Sequence, residues 1–324
     1  MSMAAVSCLD QTLGLEKNTM AILITGGSGL IGTYVVRELL NREEDIIVYD
    51  LKPPADETGI CFVNGTVTDK NRLLNILKKH AVDKIIHLAA LLQFGCEQRP
   101  HDAIEVNVLG TLNLLEVARD ISAKRFVFAS SGAVYGPVEE TMTEATPIFP
   151  GISLYGATKH LCEVLGSRYQ KLYGISFIAL RYWGVYGPGE VSSPGMAEVF
   201  KKIESSISGK DVVITEVGPE EKRHFTFVKD AAHATVLATE APLKDFRVLN
   251  IAGGEDSYVT FQEFYYTIKK LCPSAGNVLF QGKGQNRGKV DISAARKELG
   301  YQPRYTLEMG IQEDIDYWQT HKAS

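Results

Sequence analysis

The segment Met20-Ala21-Ile22-Leu23-Ile24-Thr25-Gly26-Gly27-Ser28-Gly29-Leu30-Ile31-Gly32 constrains this chain more than any other. A short apolar run ends in glycines spaced three apart, at positions 26, 29 and 32. Leu30, Ile31, Tyr34, Val35 and Leu39 then follow a helical period. A second apolar run, Ile46-Ile47-Val48-Tyr49, stops at Asp50. Strand, glycine turn, helix, strand and acid, in that order, is what a dinucleotide site requires. Residues without Cβ let the backbone approach a pyrophosphate, and the helix N-terminus offers it free N–H groups and a favourable dipole. Asp50 can accept hydrogen bonds from both adenosine ribose hydroxyls. A carboxylate there repels a 2′-phosphate, so the pattern favours NAD over NADP.

A chain of 324 residues holds one large α/β domain or two fused lobes, and buries a core without disulfides or metals. Its net charge of −5 argues against a nucleic-acid partner, which needs a basic face. No apolar run reaches the length of a membrane span. The five cysteines (Cys8, Cys61, Cys96, Cys162, Cys272) are scattered without Cys-x-x-Cys spacing, which points to reduced thiols in a cytoplasmic setting. The seven histidines form no metal-binding pattern, and His224 and His233 lack nearby ligands. Residues 1–19 carry Asp10, Glu16 and Lys17 and read as an N-terminal extension rather than a secretory signal.

Downstream, strands alternate with helices. Ile60–Val63 reads as a strand, Asp69 as the cap of an amphipathic helix with Leu73, Leu74, Ile76 and Leu77, and 84–90 as a buried strand. Ala103 to Ile121 is expected to be helical, 125–129 a strand ending at Ser130-Ser131, 155–173 a long helix and 176–180 a sixth strand. This alternation predicts an α/β fold with a doubly wound, parallel Rossmann-type sheet. From about Pro188 the strands shorten and Gly and Pro become frequent. The expected organisation is therefore an NAD-binding domain over 20–187 and a smaller α/β lobe over 188–324. That lobe would mainly bind substrate and partly return to the sheet.

Tyr155 and Lys159 stand four residues apart, on one face of the long helix. A free phenol, with a pKa of about 10, is a poor base at neutral pH. A nearby ammonium and the positive nicotinamide of NAD⁺ favour phenolate. Tyr155 can then take a hydroxyl proton as hydride leaves the same carbon, and Lys159 can also hold the nicotinamide ribose. A serine at the end of the 125–129 strand lies where ligands bind in such sheets, and can orient the substrate oxygen.

Gly26-x-x-Gly29-x-x-Gly32, Asp50, His87-Leu88-Ala89-Ala90, Asn107, Ser130-Ser131-Gly132-Ala133-Val134-Tyr135-Gly136 and Tyr155-x-x-x-Lys159 resemble the extended short-chain dehydrogenase/reductase family. Within it they are similar to the NAD-dependent epimerase/dehydratase group, of the UDP-glucose 4-epimerase-like kind. Leu180–Pro188, Arg223–Asp230 and Asp291–Arg296 extend the resemblance over roughly 20–318. The resemblance implies Ser131, Tyr155 and Lys159 as the catalytic triad. It implies Gly26, Gly29, Leu30, Ile31, Gly32, Asp50, Leu88, Ala89, Ala90, Asn107 and Lys159 at NAD. It also implies a homodimer packed through the helices at 102–121 and 155–173, although packing within one subunit explains the same apolar faces.

Several positions depart from the family pattern. Thr66 stands where an Asp often contacts the adenine amino group, so Thr66 and the Val67 backbone are expected to make that NAD contact. Gly184 replaces an Asn that nucleotide-sugar enzymes usually carry near substrate. Arg223 is retained, and Arg287, only four residues before Asp291, is the nearest candidate for a second phosphate-gripping arginine. Gly132 and Ala133 replace the Asp-Glu pair of dehydratases, which argues against dehydration. Ser131, Gly132, Tyr155, Gly184, Arg223 and Arg287 are thus the expected substrate contacts, with Gln93, Cys96 and Arg99 as further pocket or surface residues. The expected activity is NAD-dependent hydride transfer at a secondary alcohol or ketone of a sugar or nucleotide-sugar, as an epimerase. A dehydrogenase or reductase of a non-nucleotide sugar or alcohol is the alternative, and a non-catalytic NAD-binding protein a third.

Overall fold

The computed structural model describes residues 20–148, 152–189, 196–284 and 286–321. The N-terminal extension and Cys8 lie outside the described residues. Seven strands form one parallel sheet: β1 (Ala21–Thr25), β2 (Ile46–Asp50), β3 (Cys61–Asn64), β4 (Val82–His87), β5 (Arg125–Ser131), β6 (Ser176–Tyr182) and a strand supplied from the C-terminal half, Arg247–Ile251. Its spatial order runs Arg247–Ile251, β6, β5, β4, β1, β2, β3. The order reverses between β1 and β4, which opens a crevice beyond their carboxyl ends.

The central strands are apolar at nearly every position because helices cover both faces. Side chains alternate between those faces. Ile22, Ile24, Val48, Ile86, Val127 and Ile178 pack on one side against α1 (Leu30–Leu40) and a helix at Val228–Glu240. Leu23, Ile47, Ile85, Phe126, Phe128 and Phe177 pack on the other, against α2 (Lys70–Lys79) and the helices that precede and follow β5. The Asp69 carboxylate caps α2 by accepting from the Arg72 N–H at 3.0 Å, as its sequence position predicts.

The expected helix from Ala103 to Ile121 is not one regular helix. After α3 (Gln93–Gln98), it is built as α4 (Pro100–Ala103), a π-helical segment Ile104–Leu109 and α5 (Gly110–Asp120). A π segment is a widened turn, often found at functional sites. Here it aims Asn107 inward. Asn107 Nδ2 donates to the Leu91 carbonyl at 3.0 Å and to Thr158 Oγ1 at 3.1 Å, while its Oδ1 accepts from the Leu91 N–H at 2.7 Å. The long helix α6 (Leu154–Tyr173) starts at Ser153, whose Oγ accepts from the Gly156 N–H, and stops at Gly174, in the left-handed region at φ +73°.

Beyond β6 the chain makes short strands: β7 (Val185–Tyr186), β8 (Val212–Ile214), β9 (Lys222–His224) and β10 (Thr226–Phe227). Then come β11, the sheet strand Arg247–Ile251 already described, β12 (Tyr258–Thr260) and β13 (Val278–Phe280). The helices of this half are α7 (Met196–Ser205), α8 (Val228–Glu240), α9 (Phe261–Leu271), α10 (Ser293–Leu299) and α11 (Leu307–His321). A separate aromatic core holds α7, α9 and α11, with Phe225 and Phe264 ring centroids 4.8 Å apart and Tyr186 and Phe264 5.1 Å apart, whereas α8 and α10 pack on the sheet. The 188–324 half therefore contributes both a packed lobe and an edge strand of the Rossmann sheet.

Cys96, Cys162 and Cys272 are buried free thiols. Cys61 is disulfide-bonded, which corrects the reading of five reduced cysteines. No helix among the described residues is long and apolar enough to cross a membrane.

Candidate active site

The glycine loop is shaped by contacts that exclude side chains. Gly26 sits at φ +74°, and a Cβ there would lie 2.5 Å from the Ala89 nitrogen. The loops leaving β1 and β4 therefore touch, and Leu88, Ala89 and Ala90 line the same crevice. A Cβ on Gly32 would lie 2.6 Å from the Gly27 Cα. Gly29 caps α1 with extended backbone, no side-chain cap and no acidic residue in the first turn. The N–H groups of Leu30, Ile31 and Gly32 thus face the crevice without a competing anion, which is the arrangement a pyrophosphate needs. Asp50 ends β2 with Oδ2 accepting from the Ser28 N–H at 3.0 Å and Oδ1 from the Leu51 N–H at 2.7 Å. Ser28 Oγ donates to the Lys52 carbonyl at 2.7 Å, so the acid and the glycine loop are clasped together. These features fit NAD.

Thr66 and Val67 follow β3. The Thr66 carbonyl accepts from the Tyr49 hydroxyl at 2.9 Å, and Asn113 Nδ2 donates to the Val67 carbonyl at 3.2 Å. Asn107 is buried, with its amide engaged by Leu91 and Thr158. Its visible work is to hold the loop after β4.

Ser131 ends β5 and caps the short turn Gly132–Tyr135, its Oγ accepting from the Ala133 N–H at 3.1 Å. The Tyr155 phenol faces the Ser131 side chain. Burial pushes the phenol up to about 12, an effect that the Ser131 hydroxyl partly offsets. Lys159 Nζ lies 5.7 Å from the Tyr155 ring centroid and 4.8 Å from that of Phe128. Burial pulls its ammonium down to about 8. The expected lowering of the Tyr155 phenol by Lys159 is therefore not the dominant effect in the protein alone. Desolvation outweighs it, because both groups sit in the same apolar pocket.

Sequence reasoning missed the support beneath this triad. Ser130 Oγ donates to Glu163 Oε1 at 2.6 Å, and Arg181 donates from Nε and Nη2 to the two Glu163 oxygens at 2.8 and 2.7 Å. The Arg181 guanidinium stacks 4.6 Å from the Tyr135 ring centroid. Arg181 holds the Glu163 carboxyl below its usual range despite burial. A signal existed: Tyr155, Lys159 and Glu163 recur every four residues on α6.

The expected substrate residues separate into distinct environments. Gly132 is buried, and a Cβ there would lie 2.5 Å from the Trp183 ring. Gly184 adopts φ +45° and abuts the His224 carbonyl, so a side chain is strained at that position. Arg287 Nη1 donates to the Gly136 carbonyl at 2.9 Å. Arg223 Nε donates to Glu221 Oε1 at 2.6 Å. Gln93 and Arg99 are exposed, and Arg99 pairs with Asp102 at 3.1 Å, whereas Cys96 is buried with its Sγ donating to the Leu91 carbonyl at 3.1 Å. No cluster of metal-ligating side chains occurs among the described residues.

Residues 22–252 match the NAD dependent epimerase/dehydratase family. A putative UDP-glucose 4-epimerase of Methanocaldococcus jannaschii is 31% identical, over 94% of this chain and 100% of its own length. The UDP-glucose 4-epimerase of Thermotoga maritima, solved with UDP-glucose, superposes with a TM-score of 0.84 at 29% identity, covering 93% of this chain and 99% of that one. The Thermus thermophilus UDP-glucose 4-epimerase, solved with NAD, gives a TM-score of 0.84 at 28% identity, covering 93% and 100%. With the glycine loop, Asp50 and the Ser131–Tyr155–Lys159 cluster in one crevice, the chain belongs to the NAD-dependent epimerase/dehydratase family, as an enzyme of the extended short-chain dehydrogenase/reductase type that uses NAD.

Proposed function

We propose that this chain is an epimerase that inverts a secondary alcohol carbon of a sugar or nucleotide-sugar. The observation that carries the reading is the convergence of Ser131, Tyr155 and Lys159 at the carboxyl end of β5. The relatives named above are UDP-glucose 4-epimerases, which supports a sugar-based substrate. When bound, NAD supplies a reversible hydride acceptor.

Tyr155 takes the substrate hydroxyl proton at its phenolic oxygen and later returns it to the ketone oxygen. Ser131 holds that same oxygen while the ketone turns over, so that hydride returns to the opposite face of the carbon and the other epimer forms. Lys159 places positive charge next to the phenol and stabilises its anionic form. Gly132 and Ala133 carry no acid or base, so the site offers no second proton-transfer pair for elimination of water. Residues 20–187 supply the NAD side of the cleft in this reading, and 188–324 most of the substrate side.

A homodimer is part of the proposal. Ile104 and Leu109 on the π segment, and Leu161, Val164 and Leu172 on α6, are exposed apolar residues, at 43–57%. Covering them with a second copy buries a contiguous apolar face.

The test of this function follows stereochemistry and cofactor together. Purified protein incubated with sugars and nucleotide-sugars should interconvert two epimers with no build-up of reduced nicotinamide. Stoichiometric accumulation of reduced nicotinamide with a released ketone would make it a dehydrogenase instead.

A further inference from the structure

Five hydrogen bonds form an unbroken buried chain from the end of β1 to the helix that carries Tyr155. The Thr158 hydroxyl donates to the Tyr155 carbonyl at 2.8 Å and accepts from Asn107 Nδ2 at 3.1 Å. The Asn107 carbonyl accepts from the Thr111 hydroxyl at 2.5 Å. Thr111 Oγ1 lies 2.9 Å from His87 Nε2, and His87 Nδ1 lies 2.7 Å from Thr25 Oγ1. Thr25, His87, Asn107, Thr111 and Thr158 are each at most 2% exposed. Thr25 directly precedes Gly26, and its carbonyl accepts from the Leu88 N–H at 2.9 Å. The chain therefore begins at the glycine loop and ends on the backbone of Tyr155.

These partners fix the histidine tautomer. The Thr111 hydroxyl has a single hydrogen, and a carbonyl oxygen can only accept one. That hydrogen is spent on the Asn107 carbonyl, so Thr111 Oγ1 accepts from His87 and the imidazole proton sits on Nε2. Burial and the nearby Lys159 ammonium keep the ring neutral. Nδ1 is then bare and accepts from the Thr25 hydroxyl. Every donor along the chain thus points toward Tyr155. Hydrogen bonds aligned head to tail in a buried site polarise one another, and a break leaves an unpaired polar group on either side.

We propose that His87, as the Nε2–H tautomer, is a positioning residue: it ties the glycine loop to Asn107 and, through Thr158, sets where Tyr155 stands against the cofactor. The proposal rests on the hydride-transfer reading of the site. The π segment Ile104–Leu109 is what lets Asn107 carry the link with both of its ends. Its carbonyl accepts from the Thr111 hydroxyl and from the Cys162 thiol, the latter at 3.1 Å, while its side-chain amide reaches α6 at Thr158. A shift of the proton carrier by about 1 Å is enough to slow a reaction by about 10²-fold. Loss of the His87 link should therefore slow the chemical step and leave the affinities for NAD and substrate in place.

The experiment compares wild type with His87→Gln and His87→Asn, with rates taken per NAD-bound chain. Glutamine carries its amide nitrogen out to the position of Nε2 and still donates to Thr111; asparagine reaches only the position of Nδ1 and does not. With UDP-glucose, or whichever sugar wild type interconverts, kcat should fall by about tenfold or more in His87→Asn. His87→Gln should recover most of that loss, with KM and NAD affinity near wild type in both. A purely structural role would lower the NAD-bound fraction and leave kcat per bound chain unchanged. That result, or equal losses of kcat in the two variants, overturns the proposal. Nitrogen NMR of histidine-labelled wild type, with the His87 signals identified by their absence in His87→Gln, should show a proton on Nε2 and none on Nδ1. A proton on Nδ1 overturns the proposal whatever the turnover. Wild type that epimerises no sugar or nucleotide-sugar counts against the proposed function, and the tautomer then decides this proposal by itself.

Discussion

Ser130 donates its hydroxyl hydrogen to Glu163 at 2.6 Å, and this bond ties the end of β5 to the helix that carries Tyr155 and Lys159. The neighbouring residue, Ser131, is therefore held in register with the phenol by a buried pair, Glu163 with Arg181, lying directly behind it. Glu163 and Arg181 side chains are 3% and 5% exposed. Burying an ion pair is not inherently stabilising, but removing one member leaves the other uncompensated.

Glu163→Gln should therefore cost about 3–5 kcal/mol of folding stability. Urea unfolding measures it. The double variant Glu163→Gln, Arg181→Met should recover much of that loss. A single-variant loss under about 1 kcal/mol would mean that the pair is well solvated.

Tyr155→Phe keeps the ring in its pocket and removes the proton carrier. Turnover should fall by about 10²–10⁴-fold while NAD affinity is unchanged. Steady-state rates and NAD titration check the two halves separately. Unchanged turnover would remove Tyr155 from the proton-transfer role.

Asp50→Ala removes the carboxylate at the end of β2 and its hydrogen bonds to the Ser28 and Leu51 N–H groups. The ratio of NAD to NADP affinity should drop by about tenfold or more, because a 2′-phosphate no longer meets a negative charge. A wild-type protein that already prefers NADP would contradict this use of Asp50.

His87 predicts an acid-sensitive fold. It is buried between Thr25 and Thr111, hydrogen-bonded to each at 2.7 and 2.9 Å, and burial pushes its pKa down to about 3. The unfolded chain binds a proton here near the ordinary histidine value of 6.5 and the folded one does not. Its contribution is fully present above that unfolded value and is lost as pH falls from about 6.5 toward about 3, at up to about 1.4 kcal/mol per pH unit. Unfolding free energies of wild type and His87→Gln across this window should differ in slope by that amount at most. Equal slopes would show that His87 titrates normally in the folded protein.

The parts of this molecule that were legible in its sequence are those set by local rules. The glycine loop, the Asp69 cap and the alternating strands depend on backbone geometry and period, which a few adjacent residues fix. The π segment at Ile104–Leu109 was not legible, because its apolar spacing fits an ordinary helix; the demand for it comes from Leu91, sixteen residues before Asn107. The Tyr155 and Lys159 positions were readable from their spacing, but their electrostatics were not. Burial by β5 and the loop after β4 outweighs the pairwise effect expected between them. Glu221 was invisible as a partner of Arg223, since two residues along a strand ordinarily place side chains on one face without specifying that they pair.

The most direct test of the central claim is the NAD content of purified, extensively dialysed protein, released by denaturation and quantified by chromatography. An epimerase restores its cofactor in each cycle, so the account predicts close to one NAD per chain. Protein that emerges empty, binds added NAD reversibly and accumulates reduced nicotinamide with a sugar would contradict it and identify a dehydrogenase.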